Sequence, residues 1–200
     1  SDLNGDGREE VAISALNTQN QNLGSEKVIL LFSNTDFDTN DSDGIEDVIN
    51  STGALVINHT NEFDHFGSAL SFDENALFVG APNLKGHSSY NSGAVFKYPS
   101  PLISQTHTTI DSLSFSTVYY SGTSSAHFGS KLGSGDLNGD GIKDLIVGAN
   151  GWNISDSHTD ISQNQASTGR ISIFNGNTQQ AAILDEDADI QIIGNSNMAL

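Results

Sequence analysis

Two patterns recur along this chain, and together they limit the folds open to it. His65-Phe66-Gly67-Ser68 returns as His127-Phe128-Gly129-Ser130. Each copy leads through apolar residues to a Gly-Ala pair, first Gly80-Ala81-Pro82 and then Gly148-Ala149-Asn150. The second pattern is an acidic loop. Asp136, Asn138, Asp140 and Asp144 hold its positions 1, 3, 5 and 9, with Gly141 at 6 and Ile142 at 7. Asp2, Asn4, Asp6 and Glu10 reproduce that spacing, with Gly7 and Arg8 at the equivalent places. These anchors set a period of about 60–70 residues.

Each period holds about four short β runs separated by turn-forming stretches. The runs fall at 11–13, 27–32, 54–57, 94–98, 118–120, 145–147, 170–174 and 190–193. To these add two more apolar segments either side of 73–75, the Phe-Gly openings of the second and third units, and an acidic patch from Asp185 to Asp189 before the last run. In the middle unit the acidic loop shrinks to Asp73-Glu74-Asn75, the size of a hairpin turn. No segment carries a helical stripe of any length. Four strands per unit at this period is what one blade of a β-propeller requires. Helical and leucine-rich repeats have shorter periods, and a single β-sandwich would give such strands without the repeated motifs. The expectation is all-β: propeller blades of four-stranded antiparallel sheets, in units of about 1–64, 65–126 and 127–200, the first without its opening strand.

The acidic loops point to a hard divalent cation. Calcium takes six to eight oxygens at about 2.3–2.6 Å, and alternate side chains on a tightly turning loop converge to supply them. Glycine at position 6 permits the turn, and the residue at position 7 offers its carbonyl, Ile142 in one loop and Arg8 in the other. An EF-hand would continue into a helix with Glu at position 12. Here that position is Val147, inside an apolar β run. Magnesium suits the loop less well, because it holds to a near-ideal octahedron and keeps its waters. Thr39 to Asp47 forms a further acidic stretch around Gly44, but Thr39 at its first position makes it a weaker site.

Composition narrows the partners. Lys and Arg total 7 against 25 acidic residues, a formal charge of −18. Such a surface disfavours nucleic acid and anionic membranes. No apolar run approaches the roughly 20 residues needed to span a bilayer. There is no cysteine, hence no disulfide framework and no thiolate metal site. His59, His87, His107 and His158 are scattered without ligand spacing, and no G-x-S-x-G elbow is present. The segment is therefore expected not to be an enzyme.

The Phe-Gly pairs, the acidic loop and the Gly-Ala endings resemble FG-GAP repeats, the blades of the integrin alpha-chain propeller and of many bacterial surface and secreted proteins. The match rests on Phe66-Gly67 with Gly80-Ala81-Pro82, on Phe128-Gly129 with Gly148-Ala149-Asn150, and on the two acidic loops. Three departures stand out: the middle unit has no acidic loop, Ser14-Ala15-Leu16 replaces Gly-Ala-Pro, and Glu10 takes the place of Asp. The resemblance implies about three blades of a larger, seven-bladed propeller, with structural calcium between the first two strands of a blade. It implies an extracellular or cell-surface adhesion module, the periplasm being the alternative. Its partners would be a protein or glycan on a propeller face and the neighbouring blades of the parent chain. The second reading is a non-catalytic scaffold of a larger secreted enzyme.

Overall fold

A computed structural model of the chain describes residues 2, 7–15, 26–31, 54–61, 63–85, 91–100, 108–153, 168–178 and 180–194. The stretch Thr39 to Asp47, and Asn4 and Asp6 of the first loop, lie outside the described residues. The described chain forms strands joined by turns, with short 3-10 turns at Ser112–Ser114 and Asp185–Asp187. The strands are β1 (Val11–Ala15), β2 (Glu26–Leu31), β3 (Leu55–His59), β4 (Ala69–Phe72), β5 (Ala76–Ala81), β6 (Ala94–Pro99) and β7 (Thr108–Asp111). They continue with β8 (Thr117–Tyr120), β9 (Phe128–Gly135), β10 (Asp144–Ala149), β11 (Arg170–Phe174), β12 (Ala182–Leu184) and β13 (Ile190–Ile193).

Three sheets result, in the orders β1-β2-β3-β7, β4-β5-β6-β8-β12 and β9-β10-β11-β13. Each is built on an antiparallel meander, and the sheets follow one another as consecutive blades of a partial propeller. To that meander the structure adds a cross-connection. Between its third and fourth strands, the second blade sends β7 back to pair in parallel with β3 of the first, Ile57 opposite Ile110. The third blade does the same with β12 on β8, Tyr119 opposite Ile183. Each strap passes through a 3-10 turn and returns as the fourth strand of its own blade.

The core lies between the blades. Successive residues of a strand face opposite sides, so a central sheet must be apolar on both. Accordingly every residue of β5 is buried. Leu77 and Val79 pack with Val28, Leu30, Leu55 and Ile57 of the first blade, whereas Ala76 and Phe78 pack with Leu145, Val147 and Phe174 of the third. Phe66 and Phe128, the aromatic members of the two Phe-Gly pairs, are fully buried, one in each of these interfaces. A side chain of this size contributes about 1.5–3 kcal/mol on burial.

Glycines set how closely the blades approach. Register makes Ser14 of β1 the counterpart of Gly80 of β5, and Glu26 the counterpart of Gly93. Between the second and third blades, a Cβ on Gly80 would stand 2.2 Å from the Gly129 carbonyl oxygen, and one on Gly93 would stand 2.2 Å from that of Phe128. Backbone meets backbone there, with the Phe128 amide donating to the Ser92 carbonyl at 3.0 Å. Between the first and second blades both counterparts carry side chains. The Glu26 carboxylate accepts from the amides of His65 at 3.2 Å and Phe66 at 2.6 Å, doing the work that backbone carbonyls do at the next junction.

Burial raises the pKa of the Glu26 carboxyl above its ordinary range, outweighing the opposing pull of the Phe66 amide, the nearby histidines and the His65 amide. The folded state thus holds the proton more tightly than the unfolded chain. The Glu26 contribution to stability is greatest below the ordinary glutamate pKa and declines as pH rises through the raised value. Glu26→Gln is expected to remove this slope, seen as the difference between wild-type and variant denaturation midpoints across the acid range. Glu26→Ala, which strands two amides, is expected to cost about 1–3 kcal/mol at neutral pH.

Candidate metal centre

The loop from Asp136 to Lys143 connects β9 to β10, and Asp144 opens β10. Its turns need the left-handed conformation at Gly139 and Gly141, with φ of 79° and 85°. Asp136 organises the loop. One carboxylate oxygen accepts from the amides of Gly139 and Asp140 at 2.7 and 3.1 Å, and the other from Gly141 at 2.9 Å. Asn138 accepts from the Asp140 amide at 2.8 Å, and Asp140 from the Ile142 amide at 2.8 Å. Asp144 is buried, its oxygens accepting from Leu137 at 3.0 Å and from Gly176 at 3.2 Å.

The loop therefore points its amides at the carboxylates of Asp136, Asp140 and Asp144, the last reaching it from the start of β10 through the Leu137 amide. Asp140 also accepts from the side-chain amides of Asn138 and Asn177, each at 3.1 Å. In this arrangement no three His, Asp or Glu side chains among the described residues converge closely enough to hold a metal ion. The donor chemistry nevertheless fits a hard cation: three carboxylates, one amide oxygen and the Ile142 carbonyl within one short loop. An ion would replace the side-chain contacts between Asp140 and its asparagine neighbours.

The first loop shares its opening contact. Asp2 accepts from the Gly7 amide at 2.8 Å, the same five-residue step as Asp136 to Gly141, and Gly7 has φ of 85°. Glu10, at the register position of Asp144, is likewise buried, while Arg8 is exposed. In the middle blade Asp73 follows β4 as Asp136 follows β9. Its carboxylate accepts from the Asn75 amide at 2.6 Å, and the Asp73 amide donates to Ala76 at 3.0 Å. The contracted hairpin thus closes on its own hydrogen bonds.

The histidines of the repeat serve the turns. His65 and His127 have φ of 56° and 51°, and Phe63 and Ser125, two residues before each, are also left-handed. Asn83 joins the two copies, its side chain lying 3.1 Å from His65 Nδ1 and 3.0 Å from His127 Nδ1. The scattered His59 has a more specific setting than its sequence neighbourhood indicates. Its Nδ1 is 2.9 Å from Ser112 Oγ and its Nε2 is 2.9 Å from Asp64, while its ring stacks on Phe66 at 4.7 Å. These are the residue types of a nucleophilic triad, but Ser112 is 2 % exposed and no substrate atom can reach its hydroxyl as placed. The line ties the Ser112–Ser114 turn of one blade to the last strand of its neighbour.

A buried ion pair occupies the next junction. Asp185 bonds Arg170, whose guanidinium lies 4.8 Å from the Trp152 ring centre. Burial pulls the Arg170 pKa down to about 10 against the raising effect of Glu186. In the sequence Asp185 opens an acidic patch and Arg170 opens a β run, with nothing to link them. No sequence signal marks the pair; the likeness of Ser112 and Asp185, each opening a 3-10 turn after a strap, shows only once the strands are paired.

With this geometry in place, comparison with known families is direct. Residues 128–174 match the FG-GAP repeat model, a span that runs from the opening of β9 to the end of β11 and includes the whole acidic loop. The third sheet thus carries an FG-GAP repeat, and the three sheets stack as propeller-like blades. A search of curated proteins returns no match.

Proposed function

We propose that this chain is a calcium-stabilised binding module that works outside the cytoplasm, its loops presenting a propeller face to a protein or glycan ligand. The observation that carries the reading is the Asp136 carboxylate holding three loop amides, with Asn138 and Asp140 on the same turn and Asp144 bonded to it from the start of β10. The matching step from Asp2 to Gly7 supports a second site of the same kind, completed by Asn4, Asp6, the Arg8 carbonyl and Glu10. Three carboxylates in so short a loop repel one another unless a cation offsets them. The ion would cross-brace β9 and β10 and, through Asp144 and Gly176, hold the turn after β11.

Its role is structural: the metal offers the loop charge neutralisation and oxygen coordination. Calcium in the millimolar range outside cells would saturate even weak sites of the extracellular kind. At calcium a hundredfold above Kd, the folded state gains about 2.7 kcal/mol, or about 5–10 °C in Tm for a chain of this length. The expected result is that a chelator lowers Tm by at least this amount and that Asp140→Ala removes the share of the calcium-dependent increment that its own loop supplies. An unchanged Tm on chelation would refute the calcium reading.

A further inference from the structure

We infer that the outer edge of β13 is a docking site for an extended strand, and that its occupant is the strap segment of another FG-GAP unit. The structure states the rule twice. The fourth strand of the first blade, β3, receives β7 in parallel, and the fourth strand of the second blade, β8, receives β12 in parallel. β13 is the fourth strand of the third blade, and among the described residues nothing pairs with its outer edge. Its residues are all exposed, with Ile190, Ile192 and Ile193 at 52 %, 46 % and 44 %.

The backbone polarity of the edge agrees. Ser121 donates to Gly93 across the second blade, so alternate amides of β8 turn outward, and Val118 donates to Ala181 of the strap at 3.0 Å. Gly194 donates to Gly169 in the same way across the third blade. Gln191 and Ile193 therefore present outward amides where Val118 and Tyr120 do. An unpaired row of this kind adds a strand readily, backbone bonds giving affinity and side chains giving selectivity.

The two existing straps define the occupant. In each, an isoleucine sits beside the middle of the fourth strand, Ile110 opposite Ile57 and Ile183 opposite Tyr119. Two residues later comes a buried polar residue that opens a 3-10 turn, Ser112 or Asp185. On β13 the isoleucine of the incoming strand would lie beside Ile192, the register equivalent of Tyr119.

The inference rests on reading the sheets as successive blades and is independent of calcium, so chelation tests one reading and strand addition the other. The probe is a labelled peptide of residues 108–116, added to the full chain and followed by fluorescence anisotropy and amide hydrogen exchange. The expected result is saturable binding with slowed exchange at Gln191 and Ile193. Affinity should fall at least tenfold in Ile193→Pro, which loses only an outward amide, and stay unchanged in Ile193→Ala, which keeps it. No binding, equal binding to Ile193→Pro, or protection confined to β1, β3 or β8 would overturn the proposal. The exchange pattern of the wild-type chain decides the matter even if the proline variant folds poorly.

Discussion

Asp185→Ala is expected to destabilise the chain by about 3–5 kcal/mol, because it leaves Arg170 charged, buried and without its carboxylate. The guanidinium cannot escape by losing its proton near neutral pH, since burial lowers its pKa only to about 10. For a chain of this length the Tm should fall by about 10 °C or more. The strap should loosen with it, and amide exchange at Ile183 and Leu184 should quicken more than in β5. Replacing both partners, as in Arg170→Met with Asp185→Leu, should recover most of the loss, because the cost lies in the stranded charge. If the single and double variants melt together, Asp185 is not what holds Arg170 in place.

Gly93→Ala should cost a similar amount, about 4 kcal/mol, for two reasons that add. Gly93 has φ of 85°, which a side chain resists, and a new Cβ would meet backbone atoms of Phe128 that cannot swing aside. The third blade would have to shift away from the second along the Phe128–Gly93 contact. Gly135→Ala is the control, with open space around its Cβ position and no left-handed φ. It should change stability by less than about 0.5 kcal/mol. Urea denaturation of the three proteins measures the difference.

The features legible in the sequence were those written locally. Positions 1, 3, 5 and 9 of the Asp136 loop, the Phe-Gly pairs and the hairpin at Asp73 are short-range spacings, and the structure uses them at strand openings and in the turns between strands. The runs at 170–174 and 190–193 coincide with β11 and β13 because their turn residues bound them sharply. The straps escaped notice because β7 and β12 have four and three residues and no alternation to distinguish them from loop. Their partners lie far along the chain, where no spacing rule reaches. Glu26 was hidden for a related reason. Its counterpart Gly93 gains meaning only once the Phe128 backbone is seen against it, and then Ser14 and Glu26 read as one linked exchange. Composition marks 185–189 only as an acidic patch, and says nothing of the burial of its first member, Asp185.

The straps also give the molecule a direction in time. β3 cannot be sealed until β7 exists, and β7 lies after β6 in the following blade; β8 waits in the same way for β12. During synthesis each sheet therefore carries an open edge until most of its successor has emerged. A nascent chain of this design opens the outer edge of each blade in turn, and a stall between β6 and β7 would leave the β3 edge available to a neighbouring ribosome's product.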